Sequence, residues 1–271
     1  MKLEGVKVLD LSLFLPGPHL TLMMADHGAD VIKVEPPGEG EPARNLGYQA
    51  GGTSTWFRNT HRGKRSVQLN LKDETHREAF YKLAEWADVM VEAFRPGVVD
   101  RLGIGYDTIA AKNPGIVYAS IAAFGQTGPL RDLPAHDLAI EGHAGVLSLN
   151  LGRDGFPASP HMPVADLAGS LMALSGILMA LYRRETTGRG DYMDMSMMDA
   201  TMSWLPNVTG PVFAEDRAPV VKAERSFGGN AFFHIYETKD RRQVVLGGVE
   251  RKFVKNLLTA LGREDFIDLA T

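Results

Sequence analysis

The chain has 271 residues, of which 44% are hydrophobic and 23% charged, and this composition excludes a disordered or fibrous protein. Its formal net charge of -4 provides no general excess of positive charge to hold a nucleic-acid backbone, so we expect no nucleic-acid partner. The absence of cysteine excludes disulfides, thiolate zinc sites and thiol catalysis, and it fits a reducing compartment.

Neither the N-terminal residues nor any apolar run predicts a membrane segment. Residues 1–5 do not form a charged leader followed by a long apolar core. The uncharged apolar stretch 167–181 is shorter than the ~18 residues that a spanning helix needs, so we expect a helix that is buried on most sides. These observations predict a cytoplasmic protein without a membrane partner.

The first part of the sequence alternates short β-branched runs with helix-like segments, which is the pattern of a parallel sheet covered by helices. Strands are predicted at 6–11, 30–35, 66–71, 88–93 and 115–123. Helices are predicted at 19–27, stopped by Gly28, and from the N-cap Asp73 to about Trp86. This order predicts a doubly wound α/β layer.

The sequence between 134 and 202 is helix-rich and is interrupted by a Gly/Pro-rich loop at 152–163. Residues 206–225 then combine the Gly210-Pro211 pair with mixed charges, a composition typical of a linker. We therefore expect a domain boundary there.

Beyond the linker, 231–238 and 242–246 flank a short polar turn and predict a β-hairpin, and the amphipathic pattern at 251–261 predicts a helix. This last unit is small for an independent core. The expected organisation is a large domain over 1–205, a linker over 206–225 and a small domain over 226–271.

Motifs of several common enzyme classes are missing. The turn after the first strand reads Leu15-Pro16-Gly17-Pro18-His19 and lacks G-x-G-x-x-G, so a nicotinamide oxidoreductase is supported by the sheet order alone. Gly63-Lys64-Arg65-Ser66 lacks the upstream glycine of a phosphate-binding loop, and no G-x-S-x-G elbow surrounds a serine. The histidines never form H-E-x-x-H, and we expect no metal site.

Three titratable side chains stand in surroundings where a functional role competes with a structural one. Asp166 is the only charge between His161 and Arg183 and stands where a helix begins, so it is either an N-cap or a reactive carboxylate. His136 also opens a helical segment, and Glu250 follows an apolar strand, where an acid commonly starts the next helix. Each signal alone is weak.

Basic residues recur after successive predicted strands of the first domain. They are Arg44, Lys64, Arg65, Arg95 and Arg101. Ligands of open α/β sheets bind beyond the carboxyl ends of the strands, and arginines grip phosphates there in a bidentate manner. The pattern therefore favours a ligand rich in phosphate.

Together these segments resemble the family III CoA-transferases, the group that contains formyl-CoA and carnitine CoA-transferases and α-methylacyl-CoA racemase. The matching stretches run nearly from end to end: Gly17-Pro18, 28–35, 62–66, 94–97, 124–129, 165–167, 187–190 and 236–240. The resemblance implies a Rossmann-like large domain with an open parallel sheet, a smaller α+β domain, and a homodimer of two interlocked chains.

The resemblance also implies roles for the three titratable residues. In the transferases, the aspartate that matches Asp166 attacks the acyl-CoA thioester and leads to an aspartyl-CoA thioester. In the racemases, the same aspartate works with a histidine and a glutamate, matched by His136 and Glu250, to move the α-proton of a 2-methylacyl-CoA. Transferases usually carry a non-basic residue such as tyrosine at position 136, so we predict α-proton transfer, with CoA transfer as the alternative.

The five basic residues named above become candidate contacts for the CoA phosphates, with acyl-CoA as a substrate rather than a permanently bound cofactor and a carboxylic acid as a second substrate of a transferase. Ala93 departs from the asparagine that is common at this position in the family. The chain ends at Thr271, inside the expected small domain, so it is either truncated or closes its ring differently. For that reason an inactive acyl-CoA-binding protein stays open as a further alternative.

Overall fold

Six parallel strands form the central sheet of the protein, whose computed structural model describes residues 1–152, 154–224 and 229–270. In chain order the strands are β1 (Lys7–Asp10), β2 (Asp30–Glu35), β3 (Gln49–Ala50), β4 (Thr53–Ser54), β5 (Arg65–Gln68), β6 (Val89–Glu92), β7 (Val117–Ala122), β8 (Asp191–Ser196), β9 (Phe233–Glu237) and β10 (Gln243–Gly247). The sheet order is β5-β2-β1-β6-β7-β8, with every pair parallel. β3 with β4, and β9 with β10, form separate antiparallel pairs.

Helices occupy the connections between these strands. They are α1 (Pro16–Asp26), α2 (Thr55–His61), α3 (Glu74–Trp86), α4 (Val98–Arg101), α5 (Tyr106–Lys112), α6 (Asp137–His143), α7 (Val146–Leu149), α8 (Val164–Thr187), α9 (Met197–Met202), α10 (Pro206–Glu215), α11 (Arg251–Ala260) and α12 (Ile267–Ala270).

The strand order creates a crevice in the middle of the sheet. The chain begins at β1, builds outward through β2 to β5, and then returns to the other side of β1 with β6. The loops that leave the carboxyl ends of β1 and β6 therefore turn in opposite directions. In open α/β sheets this switch point is where ligands bind.

Two apolar clusters cover the two faces of the sheet, because successive strand residues point to opposite sides. Val8 and Val91 belong to a cluster that includes α1 and α8 residues, whereas Leu9 and Met90 belong to a cluster that includes α3 and α5 residues. The strands read as nearly continuous apolar runs because both faces are buried.

Several predicted elements are confirmed. All five predicted strands are present, the second with the predicted bounds and the others shorter by a few residues. The Asp73 side chain accepts a hydrogen bond from the His76 backbone N–H (3.0 Å) at the start of α3, as an N-cap does. The predicted hairpin is the β9–β10 pair, and α11 follows it.

The sixth strand of the sheet, β8, is not among the predicted strands and lies within 134–202, where we expected helix-rich sequence. Its sequence alternates Asp194 with Met193 and Met195, which pack against the core. Within the six-stranded sheet β8 pairs with β7 only, and an edge strand with one solvent-exposed face tolerates aspartate. Aspartate is depleted in strands, which hides the period of two in the sequence.

The segment 206–225, expected to be a linker, contains the helix α10. Pro206 stands in the first turn of α10, where a missing N–H costs nothing, and the helix continues through Pro211. The chain separates into two compact units, Met1–Leu147 with Ala158–Trp204, and Ser148–Pro157 with Leu205–Thr271. Residues 148–157 therefore group with the second unit, a long-range association that local sequence patterns do not reveal.

The apolar helix α8 is longer and less buried than expected. By length and composition alone it could cross a membrane, but it packs against α1, α6, α9 and strands of the sheet, as a core helix does. Only 44% of its most apolar window is buried, which corrects the expectation of burial on most sides. Its exposed apolar residues share one face by helical spacing: Leu171, Leu178, Met179 and Tyr182.

Candidate active site

A cavity of about 1050 Å³ lies at the switch point of the sheet. Leu13 and Phe14 from the loop after β1, Phe94 and Arg95 after β6, and Ala123 after β7 contribute to its walls. The cavity is therefore built at the carboxyl ends of three neighbouring strands, where the fold predicts a ligand.

His136 and Asp166 both line this cavity. His136 is the residue before the first turn of α6, and Asp166 is the third residue of α8. The contact between α6 and α8 brings the two helix starts together, although 30 residues separate these side chains in the sequence. The sequence patterns identified each residue but did not place them in one cavity.

The carboxyl group of Asp166 has unusual proton affinity. Burial, followed by the nearby carboxyl groups of Asp137 and Glu141, raises the pKa of Asp166 from 3.8 to about 7. A carboxyl group with such a pKa exists in both protonation states at neutral pH. It is therefore able to give or accept a proton there.

Asp166 does not cap its helix, which corrects the N-cap alternative. Pro163 is the N-cap residue and makes no side-chain capping bond. The Val164 N–H donates to Glu141 Oε1 (3.0 Å), and the N–H groups of Ala165 and Asp166 donate to Asp137 Oδ1 (2.9 and 3.1 Å). Because α6 supplies the capping carboxylates, the Asp166 carboxyl is left for the cavity.

The wall opposite these helix starts includes a strained residue. Phe14 has a φ of 62°, a left-handed conformation that is costly for an aromatic residue. Its N–H donates to Oε1 of the buried Glu41 (2.7 Å), and its ring lies edge-on to the His136 ring with a centroid distance of 6.3 Å. The strained position thus lies beside a candidate catalytic side chain, where such strain commonly occurs.

Glu250 belongs to the second compact unit, whereas His136 and Asp166 belong to the first. Glu250 is the N-cap residue of α11 and makes no side-chain capping bond. Its carbonyl oxygen accepts the N–H groups of Phe253 and Val254 (2.9 and 3.1 Å).

The predicted basic residues divide into two groups. Arg95 and Arg101 line the large cavity, and Arg131, which the sequence patterns missed, lines it too. A Cβ built on Gly97 would lie 3.2 Å from Arg101 Nη1 and 3.7 Å from Arg131 Nη2, so two guanidinium groups meet at this glycine. Throughout 1–152, 154–224 and 229–270 these three arginines have no carboxylate in ion-pair distance. Like charges in such proximity indicate a site for an anion.

Arg44, Lys64 and Arg65 do not line the cavity and are bound to carboxylates. Arg44 Nε and Nη2 donate to the Glu35 carboxylate (2.7 and 2.6 Å). Lys64 is buried and bonds Asp10 Oδ2 at 3.0 Å. Arg65 pairs with Asp30 at the amino end of β2, the edge opposite the cavity.

A second cavity of about 280 Å³ adjoins the first, since Leu13 and Phe94 line both. Its walls are mainly apolar, with Pro36, Pro37 and Leu69 among them, and Lys72 contributes a charge. Sequence patterns missed it because its lining comes from loops after β1, β2, β5 and β6. They missed Arg131 because it stands nine residues beyond the end of β7, well past the strand end itself.

Comparisons with known proteins agree with this architecture. The family model for CoA-transferase family III matches residues 3–271. An acetyl-CoA:oxalate CoA-transferase from Acetobacter aceti is 39% identical and aligns with 96% of this chain and 66% of its own length. A succinyl-CoA:glutarate CoA-transferase from Mus musculus is 33% identical (93% and 58%), and the human alpha-methylacyl-CoA racemase is 34% identical (97% and 65%). The chain spans 58–66% of the length of these three relatives.

Solved structures give the same result. A CAIB/BAIF family protein from Brucella suis has a TM-score of 0.85 and 31% identity, over 98% of this chain and 71% of that one. The protein Rv3272 from Mycobacterium tuberculosis has a TM-score of 0.84 and 30% identity, over 97% and 70%. The chain belongs to CoA-transferase family III.

Proposed function

We propose that the protein is an acyl-CoA-processing enzyme that moves the α-proton of a 2-methylacyl-CoA between the two faces of the α-carbon. His136 and Asp166 take the two faces, and the role of Glu250 as the third member of this set stays a prediction from the resemblance. The observation that carries this proposal is that His136 and Asp166, whose pKa is raised to about 7, line one cavity together with arginines that have no ion pair among the described residues.

The proposed reaction needs a base on one side and an acid on the other. Neutral His136 removes the α-proton, which leaves an imidazolium ion and an enolate of the thioester. Protonated Asp166 then donates its proton to the opposite face of the α-carbon and becomes a carboxylate. The first N–H groups of α6, which begins at Asp137, have no partner within the helix and are suited to stabilise the enolate oxygen.

The two adjoining cavities suggest how CoA binds. We place the thioester in the large cavity at His136 and Asp166, the phosphates at Arg95, Arg101 and Arg131, and the flat adenine in the smaller apolar cavity. We base the phosphate site on these arginines because Arg44, Lys64 and Arg65 are engaged by carboxylates. CoA would be a substrate here, with no permanently bound cofactor and no metal.

The test is mass spectrometry of a racemic 2-methylacyl-CoA incubated with the protein in D₂O without an acceptor acid. We expect protein-dependent uptake of one deuterium at the α-carbon, abolished by His136→Ala. The matched control is His143→Ala on the same helix, whose ring packs on Phe124 and does not line the cavity. No uptake by a protein that binds CoA would overturn α-proton transfer.

CoA transfer through Asp166 is the second candidate, and the names of the 39% and 33% identical relatives favour it. The Asp166 carboxylate would attack the thioester carbonyl, which forms a mixed anhydride and releases CoA thiolate. The thiolate would then attack the Asp166 carbonyl, releasing the donor acid and leaving an aspartyl-CoA thioester. Incubation with acetyl-CoA followed by hydroxylamine would leave a hydroxamate on Asp166, detectable by peptide mass. Its absence, with oxalate, glutarate and other acids failing as acceptors, would exclude this candidate.

We also propose that a second copy of the chain covers the exposed apolar stripe of α8. Four large apolar side chains on one helical face, among them Met179 and Tyr182 at 65% and 82% exposure, are costly to leave in water. Replacing Leu178 by lysine is expected to convert a dimer to monomers in analytical ultracentrifugation. A parent protein that sediments as a monomer would contradict this assembly.

A further inference from the structure

The start of α8 is held by a buried carboxyl group that no catalytic role explains. Glu141 on α6 has no exposed surface. Its Oε1 accepts the Val164 N–H at 3.0 Å, but its Oε2 is buried and receives no hydrogen bond from any described residue. A buried carboxylate oxygen that receives no hydrogen bond is strongly disfavoured, so we expect this oxygen to be protonated.

Asp137 is the group placed to receive that proton. It precedes Glu141 by four residues on α6, so the two side chains lie on the same helical face. Asp137 Oδ1 already accepts the N–H groups of Ala165 and Asp166, which requires the ionised form or an oxygen free of hydrogen. Glu141 is buried and Asp137 is half-buried, and two such neighbouring carboxyl groups repel each other when both ionise, so one proton between them removes the repulsion.

We propose that Glu141 is a positioning residue that remains a carboxylic acid, donates its proton to the Asp137 carboxylate, and so fixes the first turn of α8 and the carboxyl of Asp166 in the cavity. This inference rests on the proposed function in so far as Asp166 is the reacting group. Either candidate chemistry needs that group held in place. Glu141 touches no substrate in this scheme and acts only through Asp137 and the α8 backbone.

The electrostatics of the pair agree with the geometry. Burial, partly opposed by the bond from the Val164 N–H and reinforced by Asp137, raises the pKa of Glu141 to about 7. The helices packed against α6 are α8 and α9. Besides Asp166 at the start of α8, their titratable side chains are Asp199 on α9 and Tyr182, Arg183, Arg184 and Glu185 near the far end of α8. His136 and His143 flank α6. None of these supplies a hydrogen bond to Glu141 Oε2 in the described chain.

The proposed proton on Glu141 is tested by the pH dependence of thermal unfolding. A folded-state pKa near 7, above the ordinary 4.5, means that the folded protein holds an extra proton between these pH values. The stabilisation is fully present below about pH 4.5 and is lost as pH rises towards 7 and beyond. Glu141→Gln keeps an amide donor to Asp137 and has no proton to lose, so the fall in Tm from pH 5 to pH 8 should be smaller than in the parent. The control, Glu185→Gln on the exposed end of α8, should keep the parent's fall. An unchanged fall in Glu141→Gln would overturn the proposal.

The positioning role is tested by hydrogen exchange of the peptide that covers residues 162–168. Glu141→Leu removes both the donor to Asp137 and the acceptor for Val164, so exchange at the first turn of α8 should quicken about tenfold, whereas Glu141→Gln should stay within about twofold of the parent. Equal exchange in all three proteins would overturn the proposal. If Glu141→Leu does not fold, the comparison of Glu141→Gln with the parent still decides the question through the Tm measurement.

Activity separates this inference from the proposed function. The assay is whichever one shows activity in the parent. Glu141→Gln should retain turnover at neutral pH with an unchanged KM. If the kcat of the parent falls at higher pH because Glu141 ionises, that fall should be absent in Glu141→Gln. An altered Tm profile without deuterium uptake by the parent would support the Glu141–Asp137 pair and overturn only α-proton transfer. A Glu141→Gln protein with the parent's kcat profile at every pH and the parent's Tm profile would overturn the pair.

Discussion

Two charged regions lie on either side of the loop that follows β1, and they are built on opposite principles. Behind the loop, Asp10, Lys33, Glu41 and Lys64 are buried and bind one another. In front of it, Arg101, Arg131 and Asp166 line a cavity, and none of the three forms an ion pair within the part of the chain that the structure describes. Charged groups that stabilise the fold are paired, because a buried charge without a partner destabilises the folded state. Charged groups that bind a ligand are left without a protein partner.

The proton affinities of the carboxyl groups follow the same division. Although burial opposes it, Lys33 and Lys64 lower the pKa of Asp10 well below its usual range. Hydrogen bonds from Arg44 and Ser66 overcome burial and lower the pKa of Glu35 to about 2. Asp166 has no such partner among the described residues, and burial raises its pKa to about 7. The comparison teaches that the neighbours of a buried carboxyl group, more than burial itself, decide whether it serves structure or proton transfer.

The largest expected effect concerns the open region. Asp166→Asn keeps the shape of the side chain but can neither exchange a proton as a carboxyl group does nor act as a nucleophile. Turnover should fall by at least ~10³-fold, because the reacting group itself is removed. The measurement is kcat, with CoA affinity determined in parallel by calorimetry and expected to change little. A variant that keeps a tenth of parental turnover would exclude Asp166 from the chemistry.

The next effect breaks the paired region. Lys64→Met removes a cation that bonds Asp10, the Pro18 carbonyl and Thr21, and it leaves a buried carboxylate with less compensation. The free energy of unfolding should fall by about 3 kcal/mol, as measured by urea denaturation. The matched control is Arg65→Met, whose pair with Asp30 is exposed and should contribute less than about 1 kcal/mol. Equal losses of unfolding free energy in the two variants would refute the distinction between the buried pair of Lys64 and the exposed pair of Arg65.

A third experiment extends the comparison to Glu92, which is buried at the end of β6 and accepts the Phe94 N–H at 2.8 Å. Burial raises the pKa of Glu92 from 4.5 to about 7, so the folded state holds an extra proton in this window and its stability falls as pH rises through it. Glu92→Gln keeps the acceptor oxygen and should reduce this fall by about 2 kcal/mol between pH 4.5 and pH 8. Urea denaturation at both pH values measures it. A pH dependence equal to that of the parent would show that Glu92 is ionised in the fold.

The smallest effect sharpens the assignment of the anion site. Arg131→Ala should weaken CoA binding by about tenfold, equivalent to about 1.4 kcal/mol, without loss of stability, since Arg131 has no ion pair to break among the described residues. Calorimetry at two salt concentrations measures it, and the salt dependence should be weaker in the variant. Arg65→Ala, at the opposite edge of the sheet, is the control. Unchanged CoA affinity in Arg131→Ala would place the phosphates elsewhere.

Local patterns predicted much of the fold and only the identity of the candidate site residues. The strand β2 and the capped start of α3 were predicted because apolar periodicity and an N-cap act over a few residues. β8 was missed because its aspartates are acceptable only at the edge of a sheet, a position that the sequence does not display. The basic residues were selected as a group, and only packing separated Arg95 and Arg101 from Lys64.

The sequence by itself determined the family, the alternation of strands and helices, and the residue types that the chemistry needs. The resemblance implied that His136 and Asp166 act together, and the structure gives both of them one cavity. Tertiary structure alone decided that Asp137 and Glu141 take the helix-start N–H groups in place of Asp166, and that Lys64 is a structural cation. The physical reason is the distance along the chain over which each interaction acts. Propensity, capping and periodicity act between neighbours in the chain, whereas the proton affinity and availability of a charged group depend on the burial and charges around it, which residues distant in sequence provide.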